Sequence, residues 1–317
     1  QNHHIFKELQ YLSNIDYKPI RYISFAHDEE TYKALEASKA WSKAEMIAPK
    51  QFREEISPYF NANPKKYISA LVSEDCWQAT PGKVVDLVRN LGIAAGGTVM
   101  EDCRVLEACR EGKYTSVLVQ THDKKYVEYR TEHFVNALGS GAGKLCDSMG
   151  IDAGLYPVRH QAFITRRLPM LGKHGTNLDM LIDRQDYKGF SAVYGQQIAY
   201  TGQIIGCASP KLDAMRIDKN LKVNTKAFLE IVSEMFSEWI PDLAGVGIQA
   251  VWAGYYTEPR YIVDPELGLF VGMRGHGFML SQYIARMYVD KLLGRPVPEY
   301  FEQLKLNGPG LSEKAFK

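Results

Sequence analysis

Two stretches of this chain, about residues 74–152 and 240–295, share one order: an apolar strand-like run, a glycine-rich turn, then a helix-like run. Between them lies a segment of alternating strands with one long amphipathic helix. Strand–turn–helix units bury themselves as layers of an α/β core, whereas alternating strands cover one face of a sheet. A chain that alternates the two kinds folds most simply as two domains, each assembled from discontinuous pieces. Its 317 residues are enough for two cores.

The local signals fill in this outline. Ile5, Phe6, Leu9 and Leu12 have the spacing of a short amphipathic helix. Residues 20–26 read as a strand, after which Asp28, Glu29 and Glu30 open a helix with acids at its positive end. A short helix and turn are expected at 49–59, and a strand at 67–72. Thr80 and Pro81 start a helix whose buried face is expected to hold Val84, Val85, Leu87, Val88 and Leu91. Strands are expected through Val99 and Val105, at 115–120 and 126–129, and as a short buried run at 134–138 that ends in G-S-G-A-G. In the middle segment, strands are expected at 157–165, 178–183, 190–195 and 197–208, with a helix at 223–239. A last strand at 247–255 leads to G-M-R-G-H-G-F-M-L and a helix to Leu293. The expected divisions are 1–73 and 153–239 for the strand-rich domain, 74–152 and 240–300 for the α/β domain, and 301–317 as a tail.

Composition removes some functions. Lysine plus arginine (38) nearly balances aspartate plus glutamate (37), so no global field draws the chain to nucleic acid or to an anionic membrane. No apolar run reaches the length of a membrane span. The five cysteines form no C-x-x-C pair and match neither a disulfide framework nor a zinc site. They read as reduced thiols of a cytoplasmic protein, and no metal is expected.

Two glycine knots carry the chemistry. G-S-G-A-G at 139–143 lacks the G-x-G-x-x-G spacing and the later acidic residue of a dinucleotide fingerprint. A tight strand-to-helix turn explains it as well as a cofactor turn does. In R-G-H-G, Gly275 and Gly277 let backbone approach a ligand, and the helix after them offers free N–H groups to negative charge. The reduced flavin ring is one group of that kind. His276 reads equally as a base, a ligand or a space-filler. No nucleophile elbow or Ser-His-Asp order supports hydrolysis.

In order along the chain, V-N-A-L-G-S-G-A-G-K-L (135–145), Y-P-V-R-H-Q-A-F-I-T (156–165) and W-A-G-Y-Y-T-E-P-R-Y-I-V-D (252–264), followed by G-M-R-G-H-G-F-M-L, form one set. That set resembles the FAD-dependent amine and amino-acid oxidoreductases of the D-amino-acid oxidase superfamily, above all the glycine oxidase, sarcosine oxidase and dimethylglycine dehydrogenase branch. The resemblance implies an α/β fold: an incomplete FAD-binding Rossmann-like domain interleaved with a mixed-sheet, α+β substrate domain. It implies flavin-dependent oxidation of a C–N bond to an imine that water hydrolyses. The alternative is a structural or regulatory subunit that keeps the fold without turnover.

The resemblance also assigns residues. Gly139, Ser140, Gly141, Gly275, His276, Gly277, Phe278 and Met279 are expected at FAD. A substrate carboxylate needs a cation, and Arg159, Arg260 and Arg274 are the candidates. Tyr255, Tyr256 and His160 are expected to line the amine pocket; Tyr255, Tyr256 and His276 are the candidate catalytic groups, a role that the resemblance itself does not assign to the two tyrosines. Sarcosine oxidases carry flavin on a cysteine in the region matching 252–256. W-A-G-Y-Y has none, so linkage there is excluded. The family's strand–G-x-G-x-x-G–helix unit would precede Gln1. Its supply by a second polypeptide, or by cleavage of a precursor of which this chain is the larger product, is the expectation, and hence a heteromer.

Overall fold

The computed structural model describes residues 2–41, 43–61, 63, 65–171, 178–186, 188–198, 201–211 and 225–310. In chain order the helices are α1 (Asn2–Leu12), α2 (Glu29–Ser38), α3 (Phe52–Glu55), α4 (Pro81–Ala94), α5 (Ala142–Ser148), α6 (Thr225–Trp239) and α7 (Gly277–Leu292). The strands are β1 (Lys18–Ala26), β2 (Ala44–Ile47), β3 (Ser69–Gln78), β4 (Arg104–Glu111), β5 (Tyr114–Gln120), β6 (Tyr126–Thr131) and β7 (Tyr156–Thr165). They continue as β8 (Met180–Asp183), β9 (Phe190–Ile198), β10 (Gln203–Pro210), β11 (Ile248–Glu258), β12 (Ile262–Asp264) and β13 (Leu269–Val271).

Local chemistry explains several boundaries. Asp28 caps α2: its carboxylate accepts the Thr31 N–H at 2.7 Å, and the Thr31 hydroxyl accepts the Asp28 N–H at 3.2 Å. This reciprocal pair satisfies two N–H groups that the helix itself cannot. Pro81 stands at the start of α4, where its missing N–H costs nothing. The strand expected at 197–208 is two strands, because β9 ends at Ile198 and a turn at Thr201–Gly202 reverses the chain into β10. Val99 lies outside any strand. Positions 223 and 224 of the expected helix lie outside the described residues.

The chain divides into two compact units, each made of discontinuous stretches. The first holds residues 2–17, 79–158 and 255–310. The second holds 18–78 and 159–254. Sequence order grouped α1 with the strand-rich pieces. It folds with the first unit instead, because Ile5, Phe6 and Leu9 bury themselves against Ile15 and Val84.

The second unit is built on an eight-stranded mixed sheet in the order β11-β7-β10-β9-β8-β1-β3-β2. β1 runs parallel to β8, pairing Tyr22, Ile23 and Ser24 with Met180, Leu181 and Ile182. The β1–β3, β2–β3, β8–β9, β9–β10 and β7–β10 pairs are antiparallel. Phe25, Phe52, Phe60 and Phe163 pack with the α6 side chains Phe228, Phe236 and Trp239 in one continuous core.

The first unit is organised differently. It has a three-stranded antiparallel sheet, β4-β5-β6, and the two-stranded β12–β13. The segment 134–138, expected as a buried strand, makes a single parallel bridge, Asn136 to Leu269, and its Val135 and Leu138 side chains are exposed. In α4 only Val84 is buried, while Val85, Val88 and Leu91 are exposed. An amphipathic pattern states which face is apolar. Burial requires a second layer, and none of the described residues of this unit supplies one there. Among the described residues no helix is long and apolar enough to cross a membrane.

Candidate functional site

The site is built on β13 and the turn into α7. Gly272 has φ +71°, and a Cβ there would lie 1.9 Å from the Arg260 carbonyl oxygen. Only glycine lets the strand end pass so close. The chain then makes one tight turn, Arg274–His276, in which the His276 N–H donates to the Met273 carbonyl at 3.1 Å, and enters α7 at Gly277. No side chain caps α7 and no acid stands in its first turn. Its first N–H groups therefore offer an uncompensated positive end. Gly275 is exposed, and a Cβ there would meet the Tyr256 ring at 2.9 Å, so that ring lies alongside the turn's backbone.

Two side-chain contacts fix this turn. The Tyr261 Oη lies 2.5 Å from the His276 Nδ1. The Arg274 Nε donates to the Glu258 carboxylate, and both side chains are largely shielded from solvent. Burial pushes the Glu258 carboxyl above its ordinary value against the opposing charge of Arg274. The Tyr261 hydroxyl is likewise raised, chiefly by burial. The Arg260 guanidinium donates to the Gly308 carbonyl at 3.1 Å and to the Leu306 carbonyl, clamping the segment that follows the short helical turn at Glu299–Leu304.

The second glycine turn follows a segment that is bridged to β13. Residues 134–138 run parallel to β13: the Asn136 N–H donates to the Gly268 carbonyl at 2.7 Å and the Asn136 carbonyl accepts the Phe270 N–H at 3.0 Å. Both segments then leave at their carboxyl ends, one into Gly139–Gly141 and the other into Arg274–His276. The crevice beyond the carboxyl ends of parallel strands is where α/β sheets hold ligands. The buried Asn136 amide ties its own turn down, donating to the Ala142 carbonyl at 3.0 Å and accepting the Leu138 N–H at 3.3 Å. Gly139 has φ +55°, and Gly139, Ser140 and Gly141 are all exposed.

Of the residues singled out by sequence, Tyr256, Arg274, Gly275, His276 and Gly277 come together in the first unit, with Phe278 and Met279 exposed on the first turn of α7. Tyr255 lies half-buried on β11. Arg159 and His160 stand on β7, within the second unit, and burial pushes the His160 imidazole down to about 4. Sequence reasoning missed Glu258, Tyr261 and Asn136. The first two lie within the quoted T-E-P-R-Y, where an acid and a phenol close to the arginine- and histidine-bearing turn were the available signal.

A family model described as FAD dependent oxidoreductase matches residues 2–291. Among solved structures, the chain is similar to L-proline dehydrogenase from P. horikoshii, at 22% identity over 96% of this chain and 80% of that one, with a TM-score of 0.76. It is similar to glycine oxidase from Geobacillus kaustophilus, at 16% identity over 96% and 79%, with a TM-score of 0.77. It is also similar to L-alpha-glycerophosphate oxidase from Mycoplasma pneumoniae, at 15% identity over 91% and 78%, with a TM-score of 0.71. At these identities the likeness is one of fold. A search of curated protein sequences finds no match.

Proposed function

The chain belongs to the FAD dependent oxidoreductase family, and on that premise we propose that it oxidises the C–N bond of an amino acid or secondary amine to an imine, which water hydrolyses. One observation carries the reading. The uncapped, acid-free start of α7, with a side-chain-free Gly275 before it, suits the close approach of a ring that gains negative charge on reduction. Bound FAD supplies the acceptor for the electrons and hydrogen that leave the carbon beside nitrogen. The chain supplies placement: N–H donors from α7, and backbone at Gly139, Ser140, Gly141, Gly275, His276 and Gly277, with Phe278 and Met279 as apolar flanks.

For the substrate, Arg260 and Arg274 are the proposed carboxylate partners within the first unit, with Tyr255 and Tyr256 proposed at the amine; Arg159 and His160 are the proposed substrate-facing residues of the second unit. Arg274 is paired with Glu258 and Arg260 is held by two carbonyls, so a carboxylate would share either guanidinium with those groups. A neutral, half-buried His160 suits an amine that must lose its proton before oxidation. The names of two similar structures, L-proline dehydrogenase and glycine oxidase, support an amino-acid substrate.

A dinucleotide-binding unit outside these 317 residues is proposed to grip the ADP part of FAD and to cover the exposed Val85, Val88 and Leu91 of α4 and Val135 and Leu138. Its carriage on a second polypeptide completes the proposal. Native mass spectrometry of the purified assembly tests this part, expecting FAD and a partner chain together. A flavin-loaded assembly of this chain alone would overturn the heteromer.

Anaerobic titration of the yellow protein tests the reaction. The band near ~450 nm of oxidised flavin is expected to bleach with glycine or L-proline and to stay with glycerol 3-phosphate. Bleaching by glycerol 3-phosphate alone would replace the amine reading. A flavin that dithionite reduces but no amine does would leave a non-catalytic subunit as the better account.

A further inference from the structure

We propose that Tyr261 is a positioning residue that sets which nitrogen of the His276 ring carries the proton, so that this ring presents Nε2–H at the start of α7. The contact lies within the first unit, and only its consequence for flavin rests on the proposed function.

The geometry is specific. The Tyr261 Oη and the His276 Nδ1 are 2.5 Å apart, a direct contact shorter than an ordinary hydrogen bond between nitrogen and oxygen. The phenol cannot swing away. Tyr261 is 5% exposed, and its ring packs in a cluster with Val263, Ile284, Met287, Tyr288 and Phe301. His276 is equally constrained, because it closes the turn that Gly272 and the Arg274–Glu258 pair hold in place.

A phenol is a stronger acid than a neutral imidazole N–H. Between the two, the O–H donates and the ring nitrogen accepts. Burial strengthens the argument, since it keeps the proton on the Tyr261 oxygen. An imidazole whose Nδ1 accepts carries its own proton on Nε2, and the partner of one nitrogen thereby decides the role of the other. The charged groups near this pair are Arg274 and Glu258, which neutralise each other. If α7 faces flavin as proposed, the fixed Nε2–H is a donor at its start and needs no reorganisation when charge develops there.

The test uses full-length protein with 15N-labelled histidine, loaded with FAD and after FAD removal. Long-range 1H–15N spectra identify the tautomer, and His276→Asn assigns the signal. The wild-type ring is expected to show a protonated Nε2 and an unprotonated Nδ1, with or without FAD. Tyr261→Phe is expected to shift the ring toward a mixture of tautomers and to lower the flavin midpoint potential. An Nδ1-protonated ring in the wild type would overturn the proposal even if Tyr261→Phe failed to fold. An unchanged spectrum in folded Tyr261→Phe would overturn it as well. A shifted tautomer with an unchanged potential would uphold the proposal and remove His276 from the flavin site.

Discussion

The second unit gathers its apolar side chains into one cluster that runs without interruption from Ile23 on β1 to Leu243 after α6. The first unit divides its own among four smaller clusters, around Tyr261, Ile262, Ile5 and Val117. Among the described residues, every large exposed hydrophobic side chain except Ile68 and Trp252 also belongs to the first unit. The chemistry assigned by sequence divides in the same way: both glycine turns lie in the unit with the divided core, and Arg159 and His160 in the one with the continuous core. The difference teaches that the second unit supplies its own stability, while the first spends apolar surface on faces that the proposed dinucleotide unit and cofactor would cover.

The largest expected effect breaks the continuous core. Phe228 is fully buried and packs its ring against Phe163 and Phe190 at centroid distances of 6.2 and 6.5 Å. Phe228→Ala removes a large apolar side chain and leaves a cavity, and is expected to cost about 3–5 kcal/mol. The fall in urea midpoint measures it. A cost below about 1 kcal/mol would mean that the cluster repacks freely, and the contrast with the first unit would lose its basis.

The next effect separates the units by pH. His160 is held neutral by burial, with its pKa lowered to about 4. Between its ordinary value near ~6.5 and that value, the unfolded chain binds a proton that the folded chain refuses. Stability is therefore full above about pH 6.5, falls as the pH drops, and levels off below about pH 4, a loss of up to about 3 kcal/mol. Glu258 in the first unit works with the opposite sign. Its carboxyl is raised by burial, so its contribution is fully present below the ordinary carboxyl range and is lost as pH rises through the folded value. Urea midpoints at pH 7 and 4.5 for the wild type and His160→Gln test the second unit's share. An acid sensitivity unchanged in His160→Gln would assign it to another group.

Much of the second unit was legible in the sequence, since alternation in β7 and β9 and the apolar face of α6 describe elements that fill their own surroundings. The first unit was legible only as far as its pattern. Val85, Val88 and Leu91 announce an apolar helix face, but periodicity says nothing about where the covering layer comes from. The site divided in the same way. The glycines of the turn were readable as places of close backbone approach, and at Gly275 the neighbour is the Tyr256 ring, which a Cβ would meet at 2.9 Å. Glu258 and Tyr261 were not readable, because their roles depend on a return of the chain that brings residues 15 and 16 positions apart into contact. Asn136 was hidden for a similar reason: its amide acts on a turn whose placement depends on the bridge to Leu269.

The smallest effect on stability tests the comparison most directly. Val85 and Leu91 are 61% and 39% exposed on α4. Replacing both with glutamate exchanges solvent-facing apolar surface for charge on a helix that glutamate suits, so the stability of this chain alone is expected to change by no more than about 0.5 kcal/mol at each site. Association should respond very differently. If the dinucleotide unit packs on this face, two buried carboxylates without partners oppose it, and FAD retention by the assembly is expected to be lost. Urea melts of the chain and the flavin content of the assembly make the comparison in one pair of variants. Loss of stability without loss of flavin would show that α4 packs within this unit and needs no covering layer. Retention of both would leave this face open to solvent in the working protein, and the divided core of the first unit would then be a property of its own fold.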